Sequence, residues 1–388
     1  MKPYWLLAFA IVVGSASVQA DDRILIDVKL NGQPLSLAFD TGAGGLVIFR
    51  SVAEKRGLKI EPPPEGTQVK PGEVSMGLTE PVTLELAEQT FPNTRLNVLD
   101  TLSALPPMDI DGVVGWPNLR KNIWALSGST LHMTGLAALP PETAKWVKLR
   151  EVPEQDLLHL ELPRGTQQKP SYLSIDTGAD FGVALSAEAW KKWRAANPNR
   201  PVTIEAYYMP SRDLIISEYA WADEIEVGGL KLAGLTVREM NEVETVIGLP
   251  DKTAVLGLGA MLRMESVLDG QNGFAYFHPL NTPPRNPVHN RLGAIFVPKD
   301  PKTTDDLIAH VAKGSPAEKA GVRNGDILLK IDELDVTPWR TQPGILPLRR
   351  FFEQAPDTKL HLTLRRSGKV ISVDAVLRNI IGPKSSSR

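Results

Sequence analysis

Apolar residues recur with the period of a β-strand along two similar stretches of the chain. They occupy every second position from Ile24 to Leu30, and another alternating run leads to Asp40. Asn31-Gly32, between the two runs, is a strong signal for a two-residue hairpin turn. Residues 157–179 repeat this plan and end in a run that leads to Asp176. The pattern therefore predicts two hairpins, each followed by a loop that begins with an aspartate.

The residues at the two aspartates are identical. Asp40-Thr41-Gly42-Ala43 and Asp176-Thr177-Gly178-Ala179 stand in matching contexts. A given tetrapeptide is expected on the order of 0.01 times in a chain of this length. Each copy is followed, after a similar interval, by two apolar residues and a glycine, in Val113-Val114-Gly115 and Val255-Leu256-Gly257. This order predicts a duplicated structural unit.

Further strands and two short helices are predicted between each Asp-Thr-Gly-Ala motif and its apolar-glycine partner. Alternation over 82–86 and 225–232 indicates strands. Helices are expected near 51–56 and 186–196, the second with Ser186 as its N-cap.

The proline-rich segment 281–291 is predicted to be a linker to a different kind of unit at 292–381. In that unit, Ser315 caps a short helix with Pro316 at its first position, and Gly321 ends it. Strands are expected from Ile327 to Ile331 and on both sides of a turn at Ser367-Gly368. Residues 382–388 are expected to be a disordered tail.

The composition is that of an ordinary globular protein. Its 388 residues, 42% hydrophobic and 23% charged, suggest two or three domains. The formal net charge of -2 gives no electrostatic case for nucleic acid binding. Because there is no cysteine, disulfides, thiol catalysis and zinc–thiolate sites are excluded.

The N-terminal residues 1–20 have the form of a signal peptide. Lys2 precedes an apolar run from Tyr4 to Val13, and small residues follow up to Ala20. The run is too short to span a bilayer comfortably. We expect a cleaved signal and export, most simply to the bacterial periplasm. An uncleaved membrane anchor is the alternative.

Paired aspartate loops have a specific chemistry if they face each other. Glycine lets the chain approach closely because it has no Cβ, and threonine offers a hydroxyl that can lock the loop. Two carboxyls about 3 Å apart share one proton, so one can act as base on a water while the other acts as acid toward a carbonyl oxygen. The alternative is that one or both copies are structural turns.

The two Asp-Thr-Gly motifs, with their apolar-glycine partners, resemble the pepsin and retropepsin superfamily of aspartic peptidases. The resemblance covers about residues 22–280. It implies a mainly β, bilobal acid-protease fold, with a first lobe at 21–145 and a second lobe at 146–280. It also implies roles for the motif residues. Asp40 and Asp176 would be the catalytic pair, and loop support would come from Thr41, Gly42, Thr177 and Gly178.

Two segments are candidates for the flaps that would cover a substrate. Lys70 to Leu78 is the best candidate for a first-lobe flap, although it lacks an obvious tyrosine at the tip. Tyr207-Tyr208-Met209-Pro210 holds the corresponding place in the second lobe. The flap contacts and the substrate preference therefore stay open.

The C-terminal unit resembles a PDZ domain of the bacterial type found on exported proteases. The Gly-Ser-Pro-Ala helix and the Gly325-Asp326 turn carry this resemblance. It implies a small α+β domain that receives a peptide C-terminus by strand addition. The receiving loop and strand would be Leu292, Gly293, Ala294, Ile295 and Phe296. The alternative is a PDZ fold that only docks against the protease.

Together these features predict an exported aspartic endopeptidase with a PDZ domain. Both aspartates lie in one chain, so a monomer is expected, with peptides or proteins as partners. No cofactor and no metal are implied, and the histidines lack the His-Glu-x-x-His spacing of a metallopeptidase. A Gly-x-Ser-x-Gly elbow is also missing. The alternative function is a catalytically inactive periplasmic peptide-binding or adaptor protein on the same scaffold.

Overall fold

The structure is a computed structural model of the chain. It describes residues 23–62, 76–86, 89–99, 110–128, 132–163, 170–208, 214–241, 244–245, 249, 251–283, 287–299, 304–342 and 344–383. The predicted signal peptide lies outside these residues. Within the described ranges, none of the helices is both long enough and apolar enough to cross a membrane.

The first lobe is a curled sheet with short helices at its strand ends. Its strands are Leu25–Leu30 (β1), Gln33–Asp40 (β2), Leu46–Phe49 (β3), Ile60–Glu61 (β4), Met76–Thr79 (β5), Val82–Leu86 (β6), Gln89–Thr94 (β7), Asn97–Leu99 (β8) and Gly112–Gly115 (β9). Its helices are Arg50–Lys55 (α1) and Trp116–Leu119 (α2). Among the residues described, nine strands lie in the order β4-β5-β8-β3-β9-β2-β1-β6-β7.

A second sheet contains the second lobe and two strands from the end of the first. Its strands are Ile123–Ser127 (β10), His132–Leu136 (β11), Val147–Glu151 (β12), His159–Glu161 (β13), Tyr172–Asp176 (β14), Val183–Leu185 (β15), Val202–Tyr208 (β16), Leu214–Val227 (β17), Leu230–Glu239 (β18), Lys252–Gly257 (β19), Met264–Asp269 (β20) and Phe274–Pro279 (β21). Its helices are Pro141–Lys145, a 3-10 turn, Ala187–Ala196 (α3) and Leu258–Met261 (α4). In the described chain the strand order is β11-β10-β20-β21-β12-β13-β14-β19-β15-β18-β17-β16.

The C-terminal unit has its own sheet and its own core. Its strands are Ala294–Pro298 (β22), Leu307–Val311 (β23), Ile327–Ile331 (β24), Leu334–Asp335 (β25), Lys359–Arg366 (β26) and Lys369–Val376 (β27), and its helices are Pro316–Ala320 (α5) and Arg349–Phe352 (α6). The strand order is β22-β23-β24-β26-β27, with β25 beside β24. Ser315 caps α5 by accepting a hydrogen bond from Glu318 N at 3.1 Å, and Gly321 ends it in the left-handed region at φ 96°. Both features were predicted from the sequence.

The two lobes share one strand topology. The order β4-β5-β8-β3-β9-β2-β1 in the first matches β16-β17-β18-β15-β19-β14-β13 in the second. The senses of pairing also match: β2–β9 and β14–β19 are parallel, whereas β3–β9 and β15–β19 are antiparallel. The predicted duplication is therefore a duplication of fold, and the mainly β fold class is confirmed.

Shared strands and a common core join the lobes. β10 pairs antiparallel with β20, so that Ile123 lies opposite Asp269 and Ser127 opposite Glu265. The Trp116 indole donates to Glu151 Oε1 at 2.8 Å. One buried cluster contains Phe39 of the first lobe and Leu173 of the second. This arrangement fixes the ends of β2 and β14 close to each other.

Candidate active site

Asp40 and Asp176 occupy equivalent positions in the two lobes. Each is the last residue of a strand that pairs in parallel with an apolar-glycine strand, opposite Gly115 in β9 or Gly257 in β19. The loop after each aspartate folds back over that glycine. A Cβ on Gly115 would lie 2.6 Å from Gly45 N, and a Cβ on Gly257 would lie 2.9 Å from the Phe181 ring. The apolar-glycine motif therefore exists because only glycine leaves room for the aspartate loop.

Reciprocal hydrogen bonds between the two threonines lock the loops together. Thr41 N donates to Thr177 Oγ1 at 3.0 Å, and Thr177 N donates to Thr41 Oγ1 at 3.1 Å. The hydroxyls then donate onward, Thr41 to Ile175 O at 2.8 Å and Thr177 to Phe39 O at 2.9 Å. Both threonines are buried. Every one of these bonds crosses between the lobes, so the threonines set the separation of the aspartates.

Each aspartate packs over the glycine of the opposite loop. A Cβ on Gly42 would lie 2.6 Å from Asp176 Cγ, and one on Gly178 would lie 2.7 Å from Asp40 Oδ1. Each glycine also donates its N–H to the aspartate of its own loop, Gly42 to Asp40 Oδ1 at 2.8 Å and Gly178 to Asp176 Oδ1 at 3.1 Å. The structure thus brings together all six residues of the two Asp-Thr-Gly motifs.

The two carboxyls are buried, and each lies against the glycine of the opposite loop. Asp40 is 2% exposed and Asp176 8% exposed. Burial raises the pKa of Asp40 to about 6, although the N–H of Gly42 and the charge of Arg23 oppose this rise. Burial raises the pKa of Asp176 further above its ordinary value, and the Asp40 charge adds to this rise. Two such carboxyls do not both ionise readily, so the pair holds one proton over a wide pH range.

Charged neighbours make the two aspartates unequal. Ile24 O accepts from Phe39 N at 2.8 Å, which places Arg23 across the hairpin from Asp40. Glu244 raises the pKa of Asp176 but is not among the groups that shift Asp40. The positive charge beside Asp40 and the negative charge near Asp176 therefore favour the proton on Asp176.

Glu244 is itself fixed by a buried ion pair. Arg238, on β18, donates Nη1 to Glu244 Oε2 at 2.7 Å and Nη2 to Glu244 Oε1. Its guanidinium lies 4.0 Å from the ring centroid of Phe181, which belongs to the Asp176 loop. Asn97 occupies the matching place in the first lobe and donates to Leu46 O at 3.2 Å.

These charged neighbours were not predicted from the sequence. The register of the first hairpin could have placed Arg23 near Asp40, because Arg23 immediately precedes Ile24. No local motif marks Arg238 or Glu244. Their pairing depends on how the β18 strand and the chain after it fold over the Asp176 loop.

The predicted flaps lie mostly outside the described residues. The first-lobe candidate is described only from Met76, where β5 begins. In the second lobe Tyr208 ends β16, and Met209 and Pro210 are outside the described part.

The predicted peptide-receiving residues of the C-terminal unit are separate from the aspartate pair. Leu292 and Gly293 precede the edge strand β22, which carries Ala294, Ile295 and Phe296. Every residue of β22 is buried. The N–H groups of Leu292 and Gly293 donate to Asn290 Oδ1 at 3.0 and 2.9 Å. This loop is thus already bonded to its own chain.

Comparisons with known proteins find two different families, one in the N-terminal and one in the C-terminal region of the chain. A family model described as aspartyl protease matches residues 26–117. A PDZ domain model matches residues 307–366. A search of curated proteins finds no match.

Among solved structures, an aspartic proteinase from Irpex lacteus is similar at 14% identity and a TM-score of 0.40, covering 66% of this chain and 94% of that chain. The two family models confirm the resemblance to aspartyl proteases in the N-terminal region and to a PDZ domain at the C-terminus. The chain combines an N-terminal region that matches the aspartyl protease family with a C-terminal PDZ domain.

Proposed function

We propose that the protein is an exported aspartic endopeptidase whose catalytic groups are Asp40 and Asp176. The observation that carries this proposal is the placement of two buried carboxyls by equivalent loops of the two lobes, each packed against the glycine of the opposite loop. The reciprocal threonine bonds give this pair a fixed geometry. A structural turn would not need the second loop, whereas a general acid–base pair does.

The reaction follows from the sharing of one proton. Asp40, favoured as the ionised member, takes a proton from a water whose oxygen adds to the carbonyl carbon of the peptide. Asp176 gives its proton to the carbonyl oxygen, which yields a neutral tetrahedral diol. A diol proton returns to Asp176 while the proton held by Asp40 passes to the nitrogen, so that the C–N bond breaks. The dyad returns to its starting state, with an acid and an amine as products.

Turnover of a denatured protein tests this proposal. Wild-type protein should cleave it, a statine-type inhibitor should stop the cleavage, and Asp40→Asn and Asp176→Asn should each lose it. Asparagine keeps the shape of aspartate but cannot exchange the proton in this way. Full cleavage by either variant would rule out the dyad.

The alternative is a peptide-binding or adaptor protein on the same scaffold. It shares the lobes and their cleft, but it requires no turnover. Inhibitor binding without any cleavage between pH 3 and 8 would favour this function.

Peptides or proteins are the partners of both proposals, and the PDZ domain adds a second place for them. A peptide C-terminus at Leu292–Phe296 would add a strand to the β22 edge. Because β22 is buried, such a ligand has to displace the contact that covers it. Titration with peptides of free and amidated C-terminus tests whether a carboxylate is recognised.

Export to the periplasm is part of the proposal and rests on the sequence of residues 1–20. N-terminal sequencing of protein recovered from the periplasm should find a start just after Ala20. A full-length chain held in the membrane fraction would favour the anchor.

A further inference from the structure

The edge strand of the PDZ domain packs on the edge strand of the second lobe. β22 ends one sheet and β16 ends the other. Ile295 and Val297 of β22 belong to the same buried cluster as Val202 and Ile204 of β16, although the other face of β22 lies in the PDZ core. Apolar burial of this kind resembles the packing within a domain and not that of a loose tether.

Asn290 fastens this contact with both its backbone and its side chain. It is 1% exposed. Its Nδ2 donates to Ile204 O at 2.9 Å and to Ala294 O at 2.8 Å, so that one amide joins β16 to β22. Its carbonyl accepts from the buried Thr203 hydroxyl at 2.5 Å, and its N–H donates to Glu205 Oε1 at 3.0 Å. Three consecutive residues of β16 are thus bonded to Asn290.

The side-chain oxygen of Asn290 is bonded to the PDZ loop. It accepts from Leu292 N and Gly293 N, the N–H groups that the PDZ resemblance would give to a ligand carboxylate. The same amide therefore holds the PDZ loop and the second-lobe strand. The predicted linker 281–291 contributes this residue, so its end is part of the interface.

The strand held in this way belongs to the same sheet as β14 and β15, the two strands that flank the Asp176 loop. β16 and β17 form the hairpin that matches β4–β5 of the first lobe, and β16 ends with Tyr207 and Tyr208 of the segment predicted to be the second-lobe flap. Burial raises the pKa of the Glu205 carboxyl, which Arg349 of α6 opposes and Asp180 of the Asp176 loop reinforces. The pKa of Glu205 is therefore influenced by Arg349 of the PDZ domain and by Asp180 of the Asp176 loop.

We propose that Asn290 is a positioning residue for the peptidase: it docks the PDZ domain on β16 and thereby fixes the described part of the second-lobe hairpin β16–β17 relative to the catalytic sheet. This rests on the proposed function, because the expected effect is read on peptide cleavage. The docked PDZ domain supports β16, and a ligand that pairs with β22 competes with β16.

The variant Asn290→Ala tests this in the full-length protein. Loss of the amide should speed hydrogen exchange at the amides of residues 202–208. It should also lower kcat/KM on a peptide substrate by about tenfold, because small misplacements of substrate-positioning groups are costly. The pH profile should keep its shape, since the carboxyls are untouched. Ile331→Val is the matched control: it loosens the PDZ core by one methyl group, far from Asn290 in sequence, and should leave both the exchange at residues 202–208 and kcat/KM unchanged.

Thr203→Val gives a second variant in case Asn290→Ala does not fold. It keeps the shape of a strand residue and removes only the hydroxyl bonded to Asn290 O. Faster exchange over 202–208 with a smaller loss of kcat/KM would support the proposal. Unchanged exchange, or faster exchange with wild-type kcat/KM, would overturn it. If wild-type protein cleaves nothing, the peptidase proposal fails, and unchanged exchange would still separately overturn the docking role of Asn290.

Discussion

Two identical tetrapeptides have different surroundings at the level of single residues. Asp40 faces Arg23 across the first hairpin, whereas Asp176 is influenced by Glu244. The equivalent of Arg23 in the second lobe is Leu157, since Ile175 N donates to Leu158 O at 3.0 Å. Sequence identity within the motif therefore does not make the two carboxyls equivalent. The asymmetry assigns the base to Asp40 and the acid to Asp176.

The pH dependence of kcat/KM follows from the raised pKa values. Activity needs Asp40 ionised and Asp176 protonated, so kcat/KM should rise as pH increases through about 6 and fall only where Asp176 loses its proton. A profile measured on a peptide substrate should therefore have its maximum above about pH 6. A maximum near pH 3, with activity gone by pH 5, would contradict this ordering.

Arg23→Gln should move the acidic limb of that profile to higher pH. The positive charge of Arg23 lowers the pKa of Asp40, so its removal makes Asp40 harder to ionise. Arg23→Lys keeps the charge and serves as the control. The limb is read from kcat/KM between pH 4 and 8, and an unmoved limb in Arg23→Gln would show that the charge does not act on Asp40.

At the level of elements, each aspartate loop depends on close approach of the other. Gly42→Ala should lower kcat about a hundredfold or more, because its Cβ would lie 2.6 Å from Asp176 Cγ and push the carboxyls apart. Gly45→Ala is the matched control in the same loop, since its Cβ would meet only Asn97 Nδ2 at 3.6 Å. Both rates are measured per folded molecule. Equal rates for the two variants would refute the close approach.

Much of the element structure could be predicted because it depends on neighbouring residues. Asn31 and Gly32 adopt φ of 50° and 77°, as the predicted hairpin turn requires. Ser186 caps α3 by accepting from Ala189 N at 3.3 Å. The two Asp-Thr-Gly loops could be paired because their partner glycines recur in the same order.

The parts that sequence reasoning missed depend on tertiary contacts. Asn290 lies in a segment read as a linker, and nothing near it in sequence indicates that it bonds to β16. The pairing of Arg238 with Glu244 likewise joins a strand to the segment after it. The Asn290 contact is decided by how two sheets meet, and the Arg238–Glu244 pair by how the chain folds back after β18. Local alternation encodes neither.

At the scale of the whole molecule, one chain supplies both halves of the site. β10 of the first lobe pairs with β20 of the second, and Leu158 N donates to Thr41 O at 3.1 Å. We therefore expect the specific activity to be independent of protein concentration from nanomolar to micromolar. Sedimentation should show a monomer over the same range. A steep loss of specific activity on dilution would instead indicate that a second chain is needed.

The PDZ domain is joined to the second lobe by the contact between β22 and β16. Its contact with the second lobe is apolar and hydrogen-bonded. We therefore expect the domain to hold β16 in position as well as to bind partners. Catalysis, however, depends first on the two carboxyls of Asp40 and Asp176.

The most direct test of that account is a double-mutant cycle on kcat/KM with Asp40→Asn, Asp176→Asn and the combined variant. Groups that share one proton act as a unit, so each single change should cost about a thousandfold or more and the combination should cost little beyond that. Retained activity in either single variant would contradict a shared catalytic pair, as would losses that multiply in the combined variant.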